Sequence, residues 1–426
     1  MNFLKAYITF AASTGIKLAV NLVSVKIISL VIGAGGLGQL GQFMSVMNMV
    51  TVLAGGGIFT GVMKYVAEHR GTPEELKRYL STSSMIALTA SILVAIVLYI
   101  CANLISKLLL GTPEYAGVVY TLAAVQFFIG ANNYALAIVN GYEDIIGYAV
   151  ITILGSITGT IILYALTVYF KLKGAMYGLI LMPATLAAFS IPYILFRKHV
   201  AIYQIVPKYN HKIALQLLNY TAMLCVTVCT MPLAQIVLRK LIENYADWTA
   251  VGYWQGIIKL SDAYLMFIHV VLGNYYLPKL ASKHTTYDMN LEVLRAAKII
   301  VPVTALMSCS VYFARDIIIE LLFSDAFVPM RDYFAFQMIG DFLKICAYTL
   351  GYVAVAKAMT RIYIIAELVQ SIVFVFIALF FLKVAGPIGI TYAYAINYLI
   401  YLLLSVFVYL RYIAAANSNS NARATA

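Results

Sequence analysis

The chain has 426 residues, of which 63% are hydrophobic and only 11% are charged. Its mean hydropathy is +0.90, and a soluble domain of this composition could not keep its surface hydrated. The composition therefore excludes a soluble globular protein and indicates a membrane protein. The net charge of +12 does not indicate a nucleic-acid partner, because the loops are too short to form a nucleic-acid-binding domain.

Apolar stretches long enough to cross a bilayer follow one another along the whole chain. A helical span needs about 20 apolar residues. Lipid offers no hydrogen-bond partners, so a single stretch can pair its backbone N–H and C=O groups only by forming a helix. In chain order, the 12 predicted spans are 7–32, 41–66, 82–105, 117–139, 146–170, 174–196, 214–238, 251–279, 297–323, 332–357, 361–383 and 386–410. The sequence therefore predicts an all-α integral membrane protein with 12 transmembrane helices.

The distribution of Lys and Arg predicts the sidedness of these spans. With the N-terminus taken as cytoplasmic, the cytoplasmic segments hold 17 of these residues and the opposite side holds 8, with Arg239 counted among the latter. Cytoplasmic loops carry the excess of Lys and Arg, so both termini are predicted to be cytoplasmic. The first stretch is too long and too charged for a cleavable signal peptide and is predicted to be a permanent span.

Two lysines, Lys17 and Lys26, lie inside the first span, with no acid near them on that helix. A charge at the bilayer centre costs about 2.5–3.5 kcal/mol, so it indicates a wet cavity and an anionic ligand. At 100° per residue, Lys26 lies opposite Lys17 and could instead extend to the interface. Lys17 belongs to a polar stripe that also contains Thr9, Ser13, Asn21 and Ser24. We expect this stripe to line a cavity, with Lys17 and Asn21 as binding residues.

Spans 8 and 10 carry further ionisable groups on narrow helix faces. Span 8 contains Lys259, Asp262 and His269, and span 10 contains Asp341 and Lys344 in the reverse charge order. One interpretation is structural, in which the opposite charges pair along one helix or across the two. The other is functional, in which the groups exchange partners when cargo or a coupling ion binds. His269 is either a proton-responsive group or simply a hydrogen-bonded one.

Weak internal repeats recur at an offset close to half the chain. Gly38 and Gly252, in similar Gly-Gln-containing segments, differ by 214 positions. Six spans per half would make both halves enter the membrane in the same direction, with a substrate site between them. The long loop 197–212 then separates an N-terminal six-helix lobe, 1–205, from a C-terminal six-helix lobe, 206–414. Residues 415–426 are predicted to be a disordered polar tail.

No motif indicates an enzyme. Gly33, Gly35 and Gly38 satisfy the dinucleotide pattern GxGxxG, but they join two predicted spans instead of a strand and a helix. There is no Walker A sequence, and no metal or cofactor is predicted. A transporter is therefore expected.

Three segments give the chain a recognisable resemblance: LAGGGIFTGVMKYVAEH (53–69), VGYWQGIIKLSDAYLMFI (251–268) and MRDYFAFQMIGDFLKICAYTLGYVAVAKA (330–358). They resemble the Wzx-type flippases of lipid-linked oligosaccharides, which belong to the superfamily of multidrug, oligosaccharidyl-lipid and polysaccharide exporters. The resemblance implies two six-helix lobes in a V shape around a cationic central cavity. It also implies a multi-pass protein of the bacterial inner membrane whose cargo is undecaprenyl pyrophosphate carrying a short oligosaccharide.

The implied cargo suggests roles for the buried charges. Lys17 is expected to bind the pyrophosphate, with Lys26, Lys259 and Lys344 as further substrate-binding residues. Asp262, Asp341 and His269 are expected to act in gating or coupling. The phospholipid bilayer is the other implied partner, and a polysaccharide polymerase and a chain-length regulator are candidate protein partners.

Alternative functions remain open at this point. A multidrug exporter of the same superfamily would need acids in its cavity, whereas span 1 offers lysines. A peptidoglycan-precursor exporter of the superfamily usually has two further helices. A membrane-bound polysaccharide polymerase or ligase, from another class, would need large periplasmic loops with catalytic side chains.

Overall fold

A computed structural model describes the backbone of residues 3–197, 199–283, 285–357 and 359–424. It describes the side chains of the same ranges except 3–13, 219–227, 274, 360 and 415–424. Two members of the predicted polar stripe, Thr9 and Ser13, are therefore outside the described side chains. The described backbone contains helices and turns and no β-strand, which confirms the predicted all-α class.

Fifteen α-helices follow one another in the described ranges. The first seven are α1 (Phe3–Leu53), α2 (Phe59–His69), α3 (Pro73–Ile100), α4 (Ala102–Leu110), α5 (Ala116–Gly141), α6 (Ile145–Thr185) and α7 (Ala187–Phe196). The others are α8 (His211–Tyr245), α9 (Trp248–Val271), α10 (Leu277–Ala281), α11 (Thr286–Phe313), α12 (Arg315–Leu322), α13 (Phe334–Ala356), α14 (Thr360–Ala385) and α15 (Gly389–Ala424).

The chain divides into two compact units, Met1–Ile236 and Val237–Ala426. The division falls inside α8, whereas the sequence places the lobe boundary in the loop 197–212; that boundary stays a prediction. The predicted disorder of 415–426 also stays a prediction, because the side chains there are outside the description.

In the first unit, α1 packs along α6, and α5 contacts α2, α3, α6 and α7. The backbone leaves the helical conformation within both α1 and α6. Gly33 has φ 67° and ψ −170°, and Lys171 has φ 52° and ψ −130°. Both positions lie between two spans that the sequence predicts as separate, so each long helix consists of two helical segments.

In the second unit, α13 is the central helix and packs against α11 and α15, while α14 packs against α15. A short π-helical stretch, Leu272–Tyr276, connects α9 to α10. The core includes large side chains such as Trp254, Tyr276 and Tyr398, each 1% exposed.

Seven helical runs in the described ranges are long and apolar enough to cross a membrane. They are Thr14–Leu53, Pro73–Ile100, Pro113–Gly141, Ile145–Phe196, Thr286–Phe313, Asp325–Ala356 and Arg361–Ala414. The structure is therefore that of a multi-pass membrane protein.

Candidate functional site

Lys17 lies in the first unit, on the side of α1 that packs against α6. Its Nζ lies 3.4 Å from the hydroxyl of Tyr148 and 4.7 Å from the centre of that ring. Seven residues further along α1, the buried Ser24 hydroxyl lies 3.3 Å from that of Thr160, also on α6. Two described members of the predicted stripe, Lys17 and Ser24, therefore contact polar groups of α6.

The partner of Lys17 is a phenol ring and not a carboxylate. Among the described residues, no acidic side chain forms a salt bridge with this lysine, and Lys17 itself is half-buried. A tyrosine ring attracts an ammonium through its quadrupole without neutralising the charge. Lys17 can therefore still attract an anion.

The other binding residues predicted on α1 are in different surroundings. Asn21, one turn after Lys17, is exposed, and Lys26 is half-buried. Asn21 shares the face of Lys17, whereas Lys26 is about 180° away around a helix of 100° per residue. Neither position assigns a role, so the binding functions of all three residues stay predictions.

A buried carboxylate in the second unit, Asp341 on α13, accepts hydrogen bonds from four side chains. Its side chain is 0% exposed. Oδ2 accepts from Ser261 Oγ at 2.5 Å and from Tyr264 Oη at 2.7 Å. Oδ1 accepts from Tyr394 Oη at 2.8 Å and from Gln337 Nε2 at 3.4 Å. Three helices, α9, α13 and α15, thus supply donors to one carboxyl group.

The lysine one turn further along α13, Lys344, lies among aromatic rings. Its Nζ is 5.8 Å from the ring centres of both Tyr348 and Tyr398. The ring of His269 on α9 is 5.8 Å from that of Tyr348. Tyr348 therefore lies near both the ammonium of Lys344 and the ring of His269.

The four charges predicted on spans 8 and 10 do not form close ion pairs. Among the described side chains, no salt bridge joins Lys259 or Lys344 to Asp262 or Asp341. Asp262 is exposed and Lys259 is half-buried. Asp262 attracts three cations from a greater distance: Arg239, Lys259 and Lys344. The direct pairing of the structural interpretation is therefore not observed, and the functional interpretation stays a prediction.

Arg239, which the charge count assigned to the loop adjoining span 7, is a buried side chain of α8. It is 2% exposed, its Nε donates to Gln255 Oε1 at 3.0 Å, and its guanidinium lies 5.8 Å from the ring of Trp254. The burial was missed because the apolar run of span 7 ends before Arg239, whereas the helix continues to Tyr245; the side of the membrane on which Arg239 lies stays a prediction. The sequence feature that could have indicated a buried Arg239 is Gln255, a polar residue on α9 that accepts its hydrogen bond.

The tyrosines around Asp341 were also missed. The sequence analysis did not single out Tyr264, Tyr394 or Tyr398, yet they are 8%, 7% and 1% exposed. Tyr394, Tyr398 and Tyr401 are spaced i, i+4 and i+7, which puts them on one helix face. That spacing is the signal in the sequence that could have indicated a polar face on α15.

Comparison with known proteins shows the family of this chain. A sequence model of the family described as "Polysaccharide biosynthesis protein" matches residues 3–283. The lipid III flippase of Escherichia coli (strain K12) is 37% identical over 410 residues, covering 96% of this chain and 99% of that protein. The lipid III flippase of Shigella flexneri has the same identity and coverage.

Solved structures show the same fold at low sequence identity. An inward-facing multidrug resistance MATE family transporter of the MOP superfamily aligns with a TM-score of 0.76 at 15% identity, covering 95% of this chain and 96% of that one. A MOP superfamily transporter from Pyrococcus furiosus, described as having a binding pocket of reverse polarity, aligns with a TM-score of 0.66 at 15% identity, covering 97% and 96%. These likenesses show a transporter fold. The chain therefore belongs to the polysaccharide biosynthesis protein family and, within it, to the flippases of lipid-linked oligosaccharides.

Proposed function

We propose that this flippase moves undecaprenyl-pyrophosphate-linked oligosaccharide units from the cytoplasmic to the periplasmic leaflet of the bacterial inner membrane. The units are of the lipid III type, after which its relatives are named. It crosses the membrane 12 times, in two six-helix lobes with both termini in the cytoplasm. The lobes alternate access to a central site. A polymerase and a chain-length regulator act on the cargo after release.

One observation carries this proposal: Lys17 is a half-buried ammonium inside an apolar helix whose contact is the phenol of Tyr148. A lysine about 4 Å from a phosphate gains roughly 4 kcal/mol at an effective dielectric of about 20. That gain partly offsets the desolvation of the headgroup without holding it permanently. Such an exchangeable attraction suits a carrier, which must bind its cargo and then release it.

The second unit supplies further charges for the same cargo. Lys259 and Lys344 also attract the pyrophosphate, and Asp262 competes with the pyrophosphate for them. Asp341 lies one helical turn from Lys344 along α13, and His269 lies two turns from Asp262 along α9. These two groups couple binding of the cargo to the change of access. The polyprenyl chain stays in lipid throughout.

The identity of the cargo is tested by genetic rescue. The gene is expressed in three strains, each lacking the flippase for enterobacterial common antigen, for an O-antigen unit or for the peptidoglycan precursor. We expect rescue of polymer display in the first strain, with loss of the accumulated lipid III. Rescue of only the peptidoglycan strain would overturn the proposed cargo. In a deletion strain, complete lipid-linked units building up on the outer face would instead indicate a polymerase or ligase.

The role of Lys17 is tested in the rescued strain. Lys17→Gln removes the charge and should abolish rescue, whereas Lys17→Arg keeps the charge and should preserve part of it. Lys173→Gln is the matched control, because Lys173 also lies over a tyrosine ring, that of Tyr115 at 5.5 Å, but is exposed. Full rescue by Lys17→Gln, at a membrane abundance equal to that of the parent, would remove the proposed phosphate site.

A further inference from the structure

A groove between α11 and α13 opens on the outside of the second unit. It has a volume of about 390 Å³ and is bounded by Ala305, Ser308, Cys309, Tyr312 and Phe313 on α11 and by Ala335, Met338, Ile339 and Phe342 on α13. Cys309 is exposed, Ile339 is 50% exposed and Phe313 is 79% exposed. On a helix pair that crosses a bilayer, such a groove faces hydrocarbon chains.

An arginine lies at one end of this groove. The guanidinium of Arg315, the first residue of α12, lies 4.4 Å from the ring centre of Tyr312, and its Nη1 donates to the Tyr312 carbonyl at 2.9 Å. The neighbouring carboxylate, Asp316, is paired with Arg331 at 3.2 Å. Among the described residues, Arg315 itself forms no salt bridge, so most of its five donors are available to an anion.

The length of the groove matches one leaflet of a bilayer. From Ala305 to Phe313, α11 rises about 12 Å at 1.5 Å per residue. Half of a hydrocarbon core of about 30 Å is close to that length. A single acyl chain can therefore lie along the groove while the phosphate of the same lipid contacts Arg315, since arginine binds phosphate oxygens with two parallel hydrogen bonds.

We propose that this groove is a binding site for an anionic phospholipid of the bilayer, such as phosphatidylglycerol, with one acyl chain between α11 and α13 and the phosphate on Arg315. The site does not depend on the identity of the cargo. Its floor reaches the hydrogen-bond network of Asp341: the hydroxyl of Tyr264 lies 3.4 Å from Ser308 Oγ and 3.6 Å from Met338 Sδ, and it donates to Asp341. The bound lipid thus rests against Ser308 and Met338, which contact Tyr264, one of the four donors to this carboxylate.

The proposal is tested with tryptophan probes and brominated lipids in phosphatidylcholine nanodiscs. Phe342→Trp places the probe in the groove. Phe336→Trp, on the same helix but outside the groove and 40% exposed, is the matched control. The wild type, with its own two tryptophans, supplies the background. At equal mole fractions, brominated phosphatidylglycerol should quench Phe342→Trp at least threefold more than brominated phosphatidylcholine, whereas Phe336→Trp should show no preference.

The headgroup contact is tested in the Phe342→Trp background. Arg315→Gln should bring the ratio of quenching by the two lipids to one, and Arg315→Lys should retain part of the preference. Equal quenching by both lipids before any change at Arg315, or a preference that survives Arg315→Gln, would overturn the site. Unlabelled undecaprenyl phosphate that displaces the brominated lipid better than unlabelled phosphatidylglycerol would assign the groove to polyprenyl chains and overturn the phospholipid assignment.

Discussion

Lys17 and Asp341 are two ionisable side chains whose surroundings differ. Lys17 contacts the ring of Tyr148 and lies 3.4 Å from the hydroxyl of the same residue. Asp341 accepts hydrogen bonds from four side chains and is 0% exposed. The lysine therefore keeps capacity for a ligand, whereas the carboxylate needs a rearrangement of its donors before it can bind anything else.

Replacing Asp341 and, separately, the exposed Asp262 measures how much the buried carboxylate contributes to the free energy of unfolding. Asp341→Asn keeps the volume but turns one acceptor into a donor that faces hydroxyl groups, and we expect a loss of about 1–3 kcal/mol in the free energy of unfolding. Asp262→Asn, at an exposed acid one turn away from Lys259, should change it by less than about 0.5 kcal/mol. Chemical unfolding of the two purified variants in detergent measures the difference. Equal stabilities would show that the donors around Asp341 contribute nothing net.

The ionisable residues of the two units were easier to single out from the sequence than the uncharged residues around them. A lysine or aspartate in an apolar run is conspicuous by itself, so Lys17, Lys259, Asp341 and Lys344 could be named in advance. The donors to Asp341 could not, because Ser261 and Tyr394 reach it only through the packing of α9 and α15 on α13. Tyrosines of a membrane protein are ordinary at interfaces, and no local pattern assigns one to a buried carboxylate.

At the scale of elements, the break in the helical backbone of α1 lies at one glycine, Gly33. The φ and ψ of Gly33, 67° and −170°, lie in a region that is essentially restricted to glycine and costs other residues about 1–3 kcal/mol. A Cβ added there would meet nothing within 4 Å, so the whole expected cost is backbone strain. The glycine-rich segment lies inside α1, with no strand before it in the described backbone; the sequence did not indicate which of its glycines leaves the helical conformation.

Gly33→Ala should therefore lower the free energy of unfolding by about 1–3 kcal/mol. Gly15→Ala is the matched control, since Gly15 lies in the same helix and a Cβ there also meets nothing within 4 Å. In a regular helix that change should stabilise the protein by about 0.5–1 kcal/mol. Thermal unfolding in detergent compares the two variants. A Gly33→Ala protein as stable as Gly15→Ala would mean that the turn can form with ordinary backbone angles.

The start of α6 has a carboxylate cap that makes stability depend on pH. Asp144 accepts from the Gly147 amide at 2.9 Å, lies 3.0 Å from His199 Nε2, and accepts from the Tyr193 hydroxyl at 2.8 Å. Burial raises the pKa of the Asp144 carboxyl, but these hydrogen bonds outweigh burial and hold the pKa below its usual value. The ionised carboxylate is therefore favoured in the folded protein.

The sign of the pH effect follows from that direction. A lowered folded pKa contributes stability above the unfolded value of about 3.9, and the contribution is lost as the pH falls through the folded pKa. Asp144→Asn should keep a helix cap, because asparagine also caps, but should lose this pH dependence. Unfolding midpoints measured from about pH 6 to about pH 3 should converge for the parent and the variant at the acid end. Parallel curves over the whole range would exclude Asp144 as the titrating group.

At the scale of the whole molecule, the lengths of the helical runs indicate that some of them cross the membrane more than once. Ile145–Phe196 contains 52 residues, and a straight helix of that length would extend about 78 Å, against a hydrocarbon core of about 30 Å. The non-helical angles at Lys171 lie in the middle of this run. The same reasoning applies to the 54 residues of Arg361–Ala414, where Gly386 has φ 64°. Each run is therefore expected to cross the membrane twice.

Two exposed lysines of the first unit test this topology. If Ile145–Phe196 crosses twice, Lys173 lies near the reversal on the periplasmic side and Lys208 lies beyond the second crossing, in the cytoplasm. In a variant whose five native cysteines are replaced, Lys173→Cys should react with a membrane-impermeant maleimide in cells with a permeabilised outer membrane. Lys208→Cys should react only after the inner membrane is disrupted, because the positive-inside distribution places its loop in the cytoplasm. Reaction of both positions from the same side would mean that this run does not cross twice, and the count of 12 spans would then be wrong.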